Sequence, residues 1–175
     1  MKRYQLCLVI VALLGVVSLG VAQTVQKAKR HATSGHTSAA HVLVTPDQIT
    51  WGPGPPSLPP GAQLAVLEGD PSKAGVPFTM RAKLPDGYRV PPHWHPADER
   101  IVVLQGSFGM GVGDKFDQAA GHELPTGSYA SMPKGLRHYA WAVGETVVQV
   151  SGIGPFTINY VNAADDPRNA SKKLP

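Results

Sequence analysis

Short runs of apolar and β-branched residues, separated by glycine and proline, are the feature that most constrains the fold of this chain. The sequence contains 19 glycines and 17 prolines in 175 residues, and no long helical periodicity persists between them. The runs Ala62–Glu68, Pro77–Lys83 and Ser128–Met132 have the length and composition of strands. Strands that recur every 8–12 residues or so predict an all-β sandwich or barrel.

Two glycine-containing positions are interpreted as turns between separate strands. Gly106 would end one strand and start its return, and Gly144-Glu145 would join another pair. The four strands predicted in this way are Arg100–Gln105, Ser107–Val112, His138–Val143 and Thr146–Ser151.

The N-terminus has the pattern of a secretory signal peptide. Lys2 and Arg3 precede an apolar run, Leu6–Val21, and cleavage is predicted after Ala22. The alternative is an uncleaved anchor, but the run is shorter than the roughly 20 residues that a spanning helix needs. We therefore expect a periplasmic or secreted protein with no stable membrane insertion after cleavage. The single cysteine, Cys7, would leave with the leader, so no disulfide is expected.

The rest of the chain divides into three parts after this signal peptide, residues 1–22. Residues 23–41 are predicted to be a flexible linker, 42–161 the domain, and 162–175 a flexible tail. The domain opens with a Pro/Gly-rich arm, Ile49–Pro60, that we expect to cross a sheet with Trp51 as its apolar anchor. Cleavage would leave 14 basic and 12 acidic residues, so nucleic acid is not expected as a partner.

A histidine pair followed by a glutamate points to a metal site. His93 and His95 lie two residues apart, so an extended strand projects both from one face. Glu99 joins them if the chain stays extended. Two imidazoles and a carboxylate form an incomplete site for a first-row metal. His138, just after the turn Pro133-Lys134-Gly135, supplies a fourth ligand.

These residues occur in two patterns that resemble the motifs of the cupin family. The first is Gly87-x5-His93-x-His95-x3-Glu99-x6-Gly106, which matches at every fixed position. The second is Gly127-x5-Pro133-x-Gly135-x2-His138, which departs only at its last place, where Ala142 replaces a common asparagine. That asparagine is not a metal ligand in the family pattern. The two motifs cover about a third of the chain.

The resemblance implies a double-stranded β-helix, or jelly-roll cupin barrel, with one divalent metal ion. Its ligands would be His93, His95, Glu99 and His138. Three imidazoles and a carboxylate leave two open positions on an octahedral ion, as Mn, Fe, Ni or Co prefer, whereas affinity alone would select Cu or Zn. The identity of the metal stays open, with Mn or Fe expected ahead of Ni, Cu or Zn. The alternative is a metal-free barrel in which these histidines only form hydrogen bonds. His122, in a polar stretch, is expected to be solvated and not a ligand.

The alternation of strand residues predicts what surrounds the metal. If the Glu99 side chain points into the barrel, Ile101 and Val103 on the same strand face point inward too. If His138 points inward, Ala140 and Ala142 share its face. Tyr139 and Trp141 would face away from the ligands, beneath the N-terminal segment or a neighbouring subunit, and core packing is the favoured role for both. The expected apolar wall consists of Phe78, Met80, Met110 and Val112. Arg81 and Tyr88 could contact a substrate, although surface exposure is the commoner role of a strand arginine.

These observations favour a mononuclear metalloenzyme that acts on a small organic substrate through dioxygenase, lyase or isomerase chemistry. The alternatives are a non-catalytic module that binds or senses a metal or small ligand, and a structural barrel. No second acid/base pair has a convincing spacing, so no catalytic residue is assigned. A homodimer would cover the exposed strand edges.

Overall fold

The computed structural model describes residues 41–169, and the predicted signal peptide and most of the predicted linker lie outside this range. The described residues form nine strands and three short 3-10 helices. The strands are β1 (Gly52–Pro53), β2 (Gln63–Gly69), β3 (Pro77–Leu84), β4 (Arg89–Trp94), β5 (Glu99–Val112), β6 (His122–Pro125), β7 (Tyr129–Met132), β8 (His138–Ile153) and β9 (Asn159–Tyr160). Within residues 41–169, no helix is long and apolar enough to cross a membrane.

All strand pairs are antiparallel, and the sheet curls into a jelly-roll barrel, as predicted. One path runs β1-β2-β3-β8-β4-β9, while β5 pairs with β6, β7 and β8. Strand β8 therefore contacts β3, β4 and β5 in turn. Because β8 pairs with strands of both the β1-to-β9 path and the β5 group, it joins these two parts of the sheet around one interior.

The prediction of turns at Gly106 and Gly144 is wrong. Strand β5 continues through Gly106, and β8 continues through Gly144, so each is one long strand and not two short ones. Both glycines have left-handed backbone angles, with φ of +73° and +71°. The register between β5 and β8 also shifts on either side of Gln105. A bulge with a left-handed glycine bends a strand without reversing it, which lets each strand cross from one sheet to the other.

The interior follows the predicted alternation. Ile101 and Val103 are 2% and 1% exposed. Arg100, which lies between Glu99 and Ile101 in the sequence, is exposed. Ala140 and Ala142 are also buried, in the same cluster as Phe78, Met80 and Met110. Val112 is an exception to the predicted wall, since it is 62% exposed at the end of β5.

Tyr139 and Trp141 form a second buried cluster on the outer face of β8. They pack against Phe116, at ring distances of 5.1 and 6.0 Å, so residues 113–121 cover them. The predicted cover, an N-terminal segment or a second subunit, is not what buries them. Gly109 and Gly111 lie opposite these rings on β5, where any Cβ would overlap them. The glycines thus make room for the aromatic side chains.

The N-terminal arm joins the edge of the sheet through β1, and its Leu58 packs against the core cluster. A 3-10 helix at Pro46–Gln48 precedes β1, which pairs with β2. Lys83 Nζ lies 4.6 Å from the centre of the Trp51 ring. At the other end of the domain, the Arg168 guanidinium donates to Ile158 O, and Ala163–Asp165 form another 3-10 helix. The predicted linker before residue 41 and the tail after 169 lie outside the described residues.

The bend at Gly106 yields a test of the β5 and β8 geometry. A Cβ at Gly106 would lie 2.5 Å from Glu145 O, whereas one at Gly144 would meet nothing within 4 Å. Both substitutions carry the cost of a left-handed non-glycine residue, of order 1–2 kcal/mol. We therefore expect Gly106→Ala to lower the free energy of unfolding clearly more than Gly144→Ala, measured by urea denaturation. Equal losses would contradict the close approach of the two strands at this corner.

Candidate metal centre

The four predicted ligands come together at one end of the barrel. His93 lies on β4 and pairs directly with His138, the first residue of β8. His95 follows the end of β4, and Glu99 is the first residue of β5. None of the four is more than 8% exposed. The β8 strand thus brings the second motif beside the first, although more than 40 residues separate His95 from His138 in the sequence.

Backbone carbonyls fix the orientation of all three imidazoles. The Nδ1 atoms of His93, His95 and His138 lie 2.7, 2.8 and 2.9 Å from the carbonyl oxygens of Pro91, Thr157 and Leu136. A carbonyl oxygen only accepts, so each Nδ1 must carry the proton. Each neutral ring therefore keeps its lone pair on Nε2. Metal-binding histidines are oriented in the same way, by a hydrogen bond at the other ring nitrogen.

The free donor atoms converge on a common point. One nitrogen from each histidine forms a group in which all atoms lie within 4.8 Å of one another. Glu99 Oε2 is 3.3 Å from His138 Nε2 and 3.6 Å from His95 Nε2. Donors bound at about 2.1 Å to one ion stand ~3–4 Å apart. His95 Nε2 is also buried without a hydrogen-bond partner among the described residues. The three histidines therefore fit a divalent metal ion, and the carboxylate of Glu99 lies beside two of them.

The electrostatics of the cluster favour its metal-binding protonation state. Burial, reinforced by the imidazoles of His138 and His95, lowers the pKa of His93 to about 3. Burial also lowers the pKa of His95, against the opposing effect of the Glu99 carboxylate. For Glu99, burial raises the pKa, but the adjacent histidines lower it more. At neutral pH His93 and His95 are therefore neutral and Glu99 is ionised, as a cation site requires.

A small cavity of about 80 Å³ opens beside these ligands. Sixteen residues line it, of which four are the predicted ligands and twelve are apolar. Met80 and Ala140 belong to this wall, as predicted. Phe78, Met110 and Ala142 pack into the surrounding core without lining the cavity. The ligands thus face a small apolar chamber inside the barrel.

The two residues predicted as substrate contacts have other roles. Tyr88 is buried, and its hydroxyl donates to Pro59 O at 2.6 Å, so it anchors the N-terminal arm. Burial raises the pKa of this phenol. Arg81 donates to Gln149 Oε1 on the neighbouring strand, and neither residue lines the cavity. His122 is exposed, as expected, but it begins β6 and does not lie in a loop.

Sequence reasoning missed the segment after β8, which contributes a wall of the centre. Phe156 stacks on the His95 ring at 4.2 Å with an interplanar angle of 17°. Its neighbour Thr157 supplies the carbonyl that binds His95 Nδ1, and Ile158 lines the cavity with Phe156. The alternation of Phe156 and Ile158 was the available signal. It is too short to distinguish an inward-facing wall from a surface loop.

A family model places the chain among known proteins. The model described as "ChrR Cupin-like domain" matches residues 39–157, well over half of the sequence. The chain belongs to this cupin family. The match includes all four residues of the candidate metal centre and the Phe156 stacked on it. None of the curated proteins matches the chain.

Solved cupin structures share the fold at low sequence identity. The polyketide cyclase RemF from Streptomyces resistomycificus is 20% identical with a TM-score of 0.56, covering 78% of this chain and 95% of its own. A putative acetylacetone dioxygenase from Methylibium petroleiphilum PM1 is 22% identical, also at 0.56, covering 73% and 85%. KdgF from Halomonas sp. is 18% identical at 0.51, covering 66% and 96%. At these identities the likeness concerns the fold alone.

Replacing one histidine tests the ligand assignment. In His95→Ala, the apolar core is untouched, so we expect a folded barrel that has lost metal stoichiometry or at least tenfold in metal affinity. Metal content by elemental analysis and secondary structure by circular dichroism measure the two parts separately. His122→Ala is the matched control, because this histidine is exposed on β6 and should leave metal content unchanged. Full metal retention by the His95 variant would contradict the assignment.

Proposed function

We propose that this chain is a mononuclear metal-binding cupin that acts on a small organic molecule. The observation that carries the proposal is the set of three Nδ1–carbonyl hydrogen bonds at His93, His95 and His138. They direct the Nε2 atoms of three imidazoles toward the ionised Glu99 carboxylate in a buried site. A divalent cation bound among these atoms would compensate the buried negative charge of Glu99 and give His95 Nε2 a partner.

The metal would be held by His93, His95, Glu99 and His138. When bound, it would supply Lewis-acid or dioxygen chemistry, since four protein ligands leave two positions of an octahedral ion open. That ligand set favours Mn or Fe over Ni, Cu or Zn. The carboxylate offsets one of the two positive charges and so favours binding of a further ligand.

The chain's own contribution is orientation and exclusion of water. The carbonyls of Pro91, Thr157 and Leu136 hold the imidazoles, and apolar side chains close the cavity around them. Glu99 is the only carboxylate among the described residues that line this cavity. Any proton transfer by a carboxylate in the cavity would therefore use Glu99, and no separate catalytic residue is assigned.

Two relatives of the fold support a small organic substrate. One is named a polyketide cyclase and another a putative acetylacetone dioxygenase. Both names refer to oxygen-bearing organic molecules, and a cavity of about 80 Å³ favours a small one. We propose dioxygenase, lyase or isomerase chemistry on this basis.

Binding or sensing without turnover is the second candidate function. The described residues around the cavity include no acid or base apart from the four ligands, which is the composition of a binding site as much as of a catalytic one. Saturable binding of a small ligand without product would favour this function over the enzyme.

The site is further proposed to work outside the cytoplasm. This rests on the leader pattern of residues 1–22 and its cleavage after Ala22, which N-terminal sequencing of the mature protein would test. Homodimerisation likewise stays a prediction, to be measured by light scattering.

Metal removal and reloading test the proposed function. An ion that binds only the folded state stabilises it, by about 2.7 kcal/mol at a free concentration one hundred times the dissociation constant. We expect the melting temperature to fall on chelation and to recover with stoichiometric Mn²⁺ or Fe²⁺. Loaded protein should then convert at least one member of a panel of short diketones and α-hydroxy ketones, which a cavity of about 80 Å³ favours by size. Recovery of stability without turnover would support the binding function, and no response to metal would contradict both.

A further inference from the structure

The cavity beside the metal ligands contains one fixed charge. Twelve of its sixteen lining residues are apolar, and the other four are His93, His95, Glu99 and His138. Among the described residues, no lysine, arginine, serine, threonine, asparagine or glutamine lines it. Any polar group of a bound molecule must therefore be satisfied at the ligand cluster or remain unpaired. An unpaired buried polar group weakens binding, and an unpaired buried charge weakens it more.

Charge balance then limits what can bind. A divalent ion with the Glu99 carboxylate and three neutral imidazoles carries a net charge of +1. A molecule with one negative charge at its metal-binding oxygen would neutralise this site. A second negative charge would have no partner in the apolar wall, so a dianion should be rejected.

From these observations we infer that the cavity binds a molecule with a single oxygen-bearing head, carrying at most one negative charge, and an apolar body. This substrate class rests on the proposed function, because the head needs the metal. It excludes dicarboxylates and phosphate esters, whose second charge would be buried without a counter-ion. The body must be short, because about 80 Å³ is roughly half of a cavity that accommodates benzene.

One wall of the cavity determines how long the body can be. A second, outer pocket of about 350 Å³ lies on the other side of this wall. Five residues line both spaces, namely Leu58, Leu64, Met80, Phe156 and Ile158. Phe156 and Ile158 belong to the segment between β8 and β9, which has no strand pairing at these positions. Removing the Phe156 ring would join the inner cavity to the outer pocket.

Phe156 is therefore assigned as the residue that limits substrate length. Its ring stacks on His95, so it ends the inner cavity next to a metal ligand. The outer pocket has a different character, since three hydroxyl-bearing residues and a cationic one contribute to its lining: Ser57, Ser72, Thr157 and Arg168. A longer molecule that passed Phe156 would reach these polar groups with its far end.

The charge rule is tested with matched four-carbon probes. Butanoate and the dianion succinate are titrated by calorimetry into protein loaded with Mn²⁺, with metal content measured before and after. We expect butanoate to bind at least tenfold more tightly than succinate. Equal or tighter binding of succinate would overturn the inference. Failure to retain Mn²⁺ in the untitrated protein would instead count against the proposed function, so the two failures are distinguishable.

The length rule is tested with acetate, propanoate, butanoate and hexanoate. In the native protein, affinity should rise from acetate to butanoate, and hexanoate should bind at least tenfold more weakly than butanoate. The Phe156→Ala variant should bind hexanoate at least as tightly as butanoate. Phe116→Ala is the control, because Phe116 packs on the outer cluster of Tyr139 and Trp141 and lines neither pocket. It should leave the chain-length profile unchanged.

A second variant covers the case in which loss of the ring disturbs His95. Phe156→Leu keeps an apolar side chain on the imidazole and should move the length limit in the same direction by a smaller factor, with full Mn²⁺ content. A chain-length profile unaltered in both metal-loaded variants would overturn the assignment of Phe156, as would an equal change in Phe116→Ala.

Discussion

The candidate metal centre depends on three hydrogen bonds from imidazole Nδ1 atoms to backbone carbonyls. Two are local, because His93 and His138 each donate to the residue two positions earlier, Pro91 and Leu136. The third joins His95 to Thr157, 62 residues away. The two local bonds need only the backbone conformation around each histidine, but the third requires the segment after β8 to fold over the barrel opening. The donor geometry of the site is therefore complete only when the whole domain is folded.

The ligand positions could be predicted from the sequence because they rest on short-range rules. Alternation in a strand places His93 and His95 on one face, and a buried Glu99 carries Ile101 and Val103 inward with it. The resemblance of the two motifs to those of the cupin family implied the jelly-roll barrel that the structure shows. The inferences about strand faces need only the local backbone conformation and the rule that apolar side chains face the interior.

The parts that could not be predicted depend on long-range packing. A left-handed glycine followed by a polar residue is compatible with a turn or a bend, and the bend at Gly106 follows from its approach to Glu145 on another strand. Trp141 had the predicted orientation, but its cover by Phe116 depends on how residues 113–121 fold. The stacking of Phe156 on His95 likewise joins segments about 60 residues apart. The pattern of neighbouring residues in the sequence does not indicate which distant residue a side chain will contact.

The apolar wall links the metal to the substrate class through one property, its low polarity. Burial among apolar side chains lowers the pKa of His93 and His95, which keeps both available as neutral donors. The same surroundings leave a second negative charge on a substrate without a partner. Adding a cationic side chain to bind a dianion would also oppose the positive metal ion nearby. The apolar wall that keeps the histidines neutral therefore also limits the number of negative charges on a substrate. This limit follows from the metal ligands and their surroundings, and it needs no separate specificity pocket.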